Sequence, residues 1–401
     1  MRYPKVFIIL CVLGVLVILG SGLATPMLPL FARELGASTL EVGLINASYF
    51  AVRIFVELPV GILSDRVGRR RMIVLGIFVS ALGAFLCGVA PSIYVLIAGR
   101  VLWGAGGAMY FGSSTVMVLD MFQENRGQAL GIFQGIEFAG RLIGSPIGGA
   151  LAEYLGFRAA FLATGGTLLG GVLVALLTPG FQESRPTAGA SGRGATRPHA
   201  MASLLLLRSP SILLPSLLGF YRTFNAQGIT QTLVPLFQTD ALGFTPFLIG
   251  LLGTFRTVGV VVMTLSCGYL MDRLGAKPLL LTGVILTMLG NELYLGVGSL
   301  EGQVLASLFA GFGAGMMVVV LPLVVSEAVD EAIRGAAMGA YRTIFNIGSF
   351  IGPICATTIS ELQGALPGTF HIFTGILLTG IPLTLLLRYP KKAASPLPAS
   401  Q

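Results

Sequence analysis

Between Val6 and Phe31 the chain carries no Asp, Glu, Lys or Arg, and eleven further stretches of its 401 residues are nearly as apolar. A helix needs about 20 apolar residues to cross a bilayer core. Such runs fall at 6–31, 40–62, 72–91, 93–119, 128–152, 157–179, 209–237, 245–270, 278–298, 303–328, 336–360 and 368–388. Inside hydrocarbon each segment must satisfy its own backbone amides, and a barrel would instead show segments of about ten residues alternating apolar and polar. The expected class is therefore an all-α polytopic membrane protein with twelve transmembrane helices. Composition agrees, with 10% charged residues against about a quarter in soluble domains. The opening Met1-Arg2-Tyr3-Pro4-Lys5 could head a signal peptide, but the apolar run is long for one and Ala24-Thr25-Pro26 is a poor cleavage site. It is expected to be the first span.

Charge in the loops sets the orientation. With the termini inside, seventeen Lys and Arg residues fall in inner segments and two, Arg33 and Arg158, in outer loops. The positive-inside rule then puts both termini in the cytoplasm, and a cell (inner) membrane location is expected. The net charge of +8 is spread over short juxtamembrane loops, which speaks for anionic lipid as partner and against nucleic acid. Cys11, Cys87, Cys267 and Cys355 sit in four separate spans without a CxxC pair, so they read as apolar fillers, and no metal or cofactor is expected.

The stretch GILSDRVGRRRM at 61–72 returns as GYLMDRLGAKPL at 268–279, so that Gly61, Asp65, Arg66 and Gly68 fall on Gly268, Asp272, Arg273 and Gly275, an offset of 207 residues. Arg126-Gly127 meets Arg334-Gly335, and Gly140-x-x-x-Gly144 meets Gly348-x-x-x-Gly352, both offset by 208. The chain is thus a duplication of two six-helix bundles in the same orientation, related by a pseudo-twofold axis along the membrane normal. The expected units are an N-terminal bundle 1–181, a linker 182–208 rich in Gly, Ser, Pro and Arg, and a C-terminal bundle 209–401.

The 61–72 stretch resembles the loop 2–3 signature of the major facilitator superfamily. Leu96-x-x-x-Arg100-x-x-Trp103-Gly104 is similar to that family's span-4 motif, with Trp103 where a Gln is usual. Gly140-x-x-x-Gly144-Ser-Pro146-Ile-Gly148-Gly149 is similar to the span-5 motif of the drug:proton antiporter branch, its proline one place late, and Gly348-x-x-x-Gly352-Pro353 echoes it. The resemblance implies the two-bundle facilitator fold, with a central cavity bordered by spans 1, 2, 4, 5, 7, 8, 10 and 11. It also implies a latch on the inner face: Asp65 facing span 11, Arg69 paired with Asp120, and Arg66, Arg70, Asp272 and Arg273 around them. Independently of any family, glycines recurring every fourth residue line one helix face and let backbones approach closely. Gly140, Gly144, Gly148, Gly348 and Gly352 are the expected packing positions, with Pro146 and Pro353 among them.

Six arginines lie inside predicted spans: Arg53, Arg100, Arg141, Arg222, Arg256 and Arg342. Each would cost about 2.5–3.5 kcal/mol at the bilayer centre, so they must meet water, counter-charges or both. Helical spacing puts Asn46, Arg53 and Glu57 on one side of the second span, and Gln134, Glu137, Arg141 and Ser145 on one side of the fifth, an Arg–Glu pair in each. Arg342 with Asn346, and Tyr221 and Arg222 with Asn225, extend the candidate cavity set. Glu57 and Glu137 are the candidate proton carriers. Six arginines against two glutamates favour a solute with an anionic or amphiphilic character, and the first span lacks the acidic residue common in exporters of cationic drugs.

No nucleophile–base set, metal cluster or phosphate loop appears, so an enzyme is not expected. The expected function is secondary transport of a small organic solute by alternating access, proton-coupled and monomeric, with efflux by antiport preferred on the span-5 resemblance. Organic-anion uptake or exchange is the first alternative and a non-transporting membrane sensor the second.

Overall fold

The computed structural model describes residues 4–122, 126–178, 206–329 and 333–387, and among them the chain is helical from end to end. The first half comprises α1 (Lys5–Glu34, tightened at Thr25–Met27), α2 (Thr39–Val67), α3 (Arg69–Gly88), α4 (Ile93–Met121), α5 (Arg126–Leu155) and α6 (Phe157–Leu177). Most of the expected linker, up to residue 205, lies outside the described residues. In the second half α7 is a composite of Pro210–Asn225, a π-helical Ala226–Leu233 and Val234–Asp240. It is followed by α8 (Pro246–Leu274), α9 (Ala276–Gly296), α10 (Leu300–Glu327), α11 (Arg334–Gln363) and α12 (Leu366–Leu386, interrupted at Thr379).

Ten of these twelve helices are long and apolar enough to cross a bilayer. The other two, α5 and α7, are polar at their middles, where α5 carries Glu137 and Arg141 and the π-helical turn of α7 reads AQGITQTL. Their polar faces turn inward to the bundle, so hydropathy averaged round the helix understates them. The protein is a multi-pass membrane protein, and the twelve helices among the described residues bring Lys5 and Leu386 to one face, the terminal face.

Packing repeats between the halves. Helix α1 packs on α5 and α6, α2 on α4, and α3 on α4 and α6; α7 packs on α11, α8 on α10, and α9 on α10 and α12. Loops 2–3 and 8–9 are single residues, Gly68 (φ 98°) and Gly275 (φ 83°). A side chain is disfavoured at such φ, and only glycine turns the chain that sharply without strain.

The halves meet along two seams, α2 on α11 and α5 on α8. At one, Gly43 lies against Pro353 and Thr357; at the other, Gly250 lies against Ser145 and Gly149. Each seam ends, on the face opposite the termini, in a carboxylate that caps a helix start across the halves: the Leu40 amide donates to Glu361 at 3.0 Å and the Phe247 amide to Glu153 at 2.9 Å. Here too α1 and α7 touch, Leu28–Glu34 against Val234–Asp240. The bundle is closed at the far face, and the hydrogen bonds named between the halves among the described residues lie at that face and at the midplane.

Candidate functional site

A belt of polar side chains crosses the middle of the bundle. On α2, one helix face carries Asn46, Tyr49, Arg53 and Glu57. Arg53 donates to Glu57 at 2.6 Å, four residues on, and its guanidinium also lies over the rings of Tyr49 (5.7 Å) and Phe111 (5.4 Å). The other oxygen of Glu57 accepts from Asn346 of α11 at 2.9 Å, so this carboxylate joins the two halves. Arg342, one turn before Asn346, is within electrostatic reach of it. Asn46 makes a second bridge, donating to Thr232 in the π-helical turn of α7 at 2.7 Å. That turn explains the reach: Thr232 hydrogen-bonds the carbonyl of Gln227, five residues back, and the widened helix pushes its hydroxyl inward.

Arg100 of α4 is 3% exposed. It reaches Asn46 at 3.5 Å and is faced by the rings of Tyr49 (4.7 Å) and Trp103 (5.3 Å). The indole that departs from the span-4 pattern thus offers its π face to the neighbouring cation.

The Arg–Glu pairing expected within α5 is not formed. Glu137, 8% exposed, instead accepts from the Tyr110 hydroxyl of α4 at 3.0 Å and sits over Gly14 of α1, whose missing side chain makes the room. Arg141 is within electrostatic reach of Glu137 but turns into a cavity at the α5–α8 side of the midplane. This cavity, about 50 Å³, is lined by Arg141, Ser145, Gln238, Arg256, Thr257 and Tyr294 among others.

Two further expectations are corrected. Tyr221 faces α12, where its hydroxyl accepts from Thr379 at 3.2 Å, because one residue's step of about 100° from Arg222 carries it off the inward face. Asn225 is tied up within its own half, exchanging hydrogen bonds of 2.8 and 3.4 Å with buried Asn291 of α9. Arg222 lies over the Phe345 ring at 4.9 Å.

The glycine faces are packing surfaces. Gly140, Gly144 and Gly148 lie against the backbone of α1 at Val15, Leu19 and Leu23; Gly348 and Gly352 lie against α7 at Phe220 and Phe224. Pro146 and Pro353 stand inside their helices without ending them. At the terminal face Arg69 and Asp120 form an ion pair, and Arg273 lies over the ring of Tyr269 at 4.5 Å. The side chains of Gly61, Asp65, Arg66 and Asp272 lie outside the described residues.

These features, a doubled six-helix bundle with two cross-seams and a charged midplane, coincide with a sequence profile described as Major Facilitator Superfamily, which matches residues 10–245 and again 223–401. The chain belongs to that superfamily. This facilitator is 25% identical to multidrug resistance protein 2 of Bacillus subtilis (strain 168), over 98% of its own length and 97% of the relative's. It is 22% identical to the quinolone resistance protein NorA of Staphylococcus aureus, over 92% and 93%. Among solved structures it superposes on the nucleoside transporter NupG with a TM-score of 0.76 at 15% identity, covering 96% and 99% of the chains. It also superposes on a bacterial homolog of the human lysosomal transporter Spinster, captured inward-facing and occupied, with 0.76 at 16%, covering 95% and 96%. At such identities the superpositions show the shared fold. The facilitator is a secondary transporter of small solutes, and its fold is not that of an enzyme.

Sequence reasoning left out Tyr110, Tyr49 and the capping pair Glu153 and Glu361. Tyr49 was within reach, since it falls between Asn46 and Arg53 at helical spacing. Glu153 and Glu361 are themselves related by the 208-residue offset, and a search for duplicated carboxylates would have found them.

Proposed function

We propose that this facilitator is a proton-coupled exporter of a small organic solute that works by alternating access. The observation that carries the reading is Glu137, an enclosed carboxylate inside the membrane whose hydrogen-bond partner is a neutral phenol and which has no cation at ion-pair distance among the described residues. Such a group can exchange a proton when the bundle opens to water without breaking an ion pair, unlike Glu57, which is paired with Arg53 and hydrogen-bonded by Asn346. With the termini in the cytoplasm, the face bridged by Glu153 and Glu361 is the outer one, which fits an inward-facing conformation. The ion pair of Arg69 with Asp120 then belongs to the face that must close in the opposite state, and the family resemblance proposes Asp65, Arg66, Arg70, Asp272 and Arg273 as further members of that latch. The names of the resistance proteins and the span-5 glycine motif support export, and the chain is proposed to act as a monomer.

A second reading has its own observation: the midplane cavity contains two guanidinium groups and no carboxylate among its lining residues. That favours an organic anion. The two readings differ in sign. A solute that competes with the proton exchanges for it, whereas an anion drawn to Arg141 binds best when neighbouring Glu137 is protonated and so travels with the proton. Proteoliposomes of the purified protein carrying a pH gradient separate them. Antiport accumulates labelled tetraphenylphosphonium or another amphiphile in the acidic compartment; symport accumulates labelled benzenesulfonate in the alkaline one. Gradient-independent equilibration of every probe would remove proton coupling from the account.

A further inference from the structure

The six membrane arginines are not equivalent. Arg53 has Glu57; Arg100 has Asn46 and two aromatic faces; Arg222 has the face of Phe345; Arg342 has the field of Glu57. Arg141 and Arg256, like Arg222 and Arg342, have no hydrogen bond or ion pair among the described residues, and the Nε of Arg256, like those of Arg100 and Arg222, is enclosed without an acceptor; what sets Arg141 and Arg256 apart is the space they share. Both line the same cavity, one from each half. They are close enough for Arg256 to feel the like charge of Arg141. A buried donor without an acceptor and two cations without an ion-pair partner around one void, with only the field of Glu137 near Arg141, are costly in a low-dielectric interior, and a bound anion lowers both costs.

The duplication explains why the void lies on this side. Gly253, which lines it, stands at the 207-residue offset from Asn46, whose amide fills the corresponding space at the α2–α11 side by bridging to Thr232. Arg256 stands at the same offset from Tyr49. One side of the pseudo-twofold is closed by hydrogen bonds, and the other offers charge around empty space.

We propose that Arg141 and Arg256 form an oxyanion subsite that seats the carboxylate, sulfonate or phosphate head of the transported solute, with Ser145, Thr257 and Tyr294 among the hydroxyl-bearing side chains that line the same cavity. The inference rests on the organic-anion reading. The volume sets the class of ligand. A void of about 50 Å³ holds a few water-sized groups, enough for an anionic head and too little for an organic molecule, whose remainder lies outside that void. Because each half contributes one cation, the anion relieves repulsion across the α5–α8 seam. Its occupancy therefore favours the state in which the two arginines face each other.

The test is thermal unfolding of the full chain in detergent with added sodium benzoate, benzenesulfonate, phosphate or sulfate, against chloride at equal ionic strength. The organic acids are expected to stabilise the protein in a saturable way. Their apparent Kd should rise about tenfold or more in Arg256→Gln and in Arg141→Gln, less in the lysine variants, and not at all in Arg33→Gln at the far face. A response to phosphate or sulfate without one to the organic acids makes this a site for an inorganic ion and overturns the assignment, as does organic-acid stabilisation that survives both glutamine variants. If a probe is transported but no oxyanion stabilises the protein, the subsite falls and transport stands. If oxyanions stabilise through both arginines but no probe crosses proteoliposomes, the subsite stands and the transport reading falls.

Discussion

The two halves of the molecule share their scaffold and differ in their chemistry. Across the pseudo-twofold, Gly43 corresponds to Gly250, Gly140 and Gly144 to Gly348 and Gly352, Gly68 to Gly275, and the cap of Glu153 on Phe247 to that of Glu361 on Leu40. The charged midplane has no such correspondence. At the offsets of the duplication Glu57 meets Thr264, Glu137 meets Phe345 and Arg141 meets Ser349. The first half holds both midplane carboxylates, whereas the second holds Arg222, Arg256 and Arg342. Features kept in both copies belong to the scaffold of the two seams; on the proposed function, features present once act on the proton or the solute.

The comparison breaks most visibly at Glu137. In Glu137→Gln the proton site is lost while the Tyr110 contact keeps an acceptor, so gradient-driven accumulation should fall by about a hundredfold, within the range of acid–base contributions. Counterflow without a gradient should persist. Retained accumulation would place coupling elsewhere, with Glu57 next in line. A scaffold substitution should do the reverse. Gly148→Val drives a branched side chain into the backbone of α1 at Leu23 and is expected to cost about 3 kcal/mol or more, seen as a lower melting temperature. Gly131→Val, with no atom of another element near, should change it by about 0.5 kcal/mol or less.

How far these roles were legible in the sequence follows the same division. Apolar run length gives the helices, and an offset between Asp65 and Asp272 gives the duplication, because both depend on chain-local properties. Spacing places Arg53 with Glu57 on one face of α2, and the structure pairs them. Spacing cannot say what lies opposite. Glu137 and Arg141 share a face of α5 as well as Arg53 and Glu57 share theirs, yet Gly14 and Tyr110 on two other helices draw the carboxylate away. The π-helical turn at Ala226–Leu233 was hidden for a related reason, since its i to i+5 hydrogen bonds leave no period in a polar stretch. Tyr221 shows how a single position round the helix moves a side chain from the inward face to α12.

Glu57 tests whether the midplane bridge belongs to scaffold or chemistry. Its carboxylate keeps 26% exposure, so Glu57→Gln should cost about 2 kcal/mol, less than the 3–5 kcal/mol for breaking a fully buried pair. The cost would appear as a lower denaturation midpoint, together with a shift of the α2–α11 seam toward opening. Loss of stability with transport coupling intact assigns the bridge to the scaffold. Unchanged stability with lost coupling assigns it to the proton.

The smallest effects are expected at the two far-face caps, where symmetry itself is under test. Each cap gives an exposed helix start one carboxylate acceptor, a contribution of about 1 kcal/mol. Glu153→Ala and Glu361→Ala should each shift the balance between far-face-closed and far-face-open states by about fivefold, read as faster thiol labelling of a cysteine placed at Thr254 or Thr357. Because the caps lie on different seams with no shared partner, their effects should add in the double variant to within about 0.5 kcal/mol. Equal single effects mean that both seams open together as one rigid rocking of the halves. A large effect at Glu361 with none at Glu153 would mean that the α5–α8 seam is held by something the α2–α11 seam lacks. Among the described residues the α2–α11 seam carries the Glu57 bridge to Asn346, whereas the α5–α8 seam has two arginines around one cavity, and their repulsion should ease the α5–α8 side open. A dominant Glu361 would therefore require an anion already bound between Arg141 and Arg256.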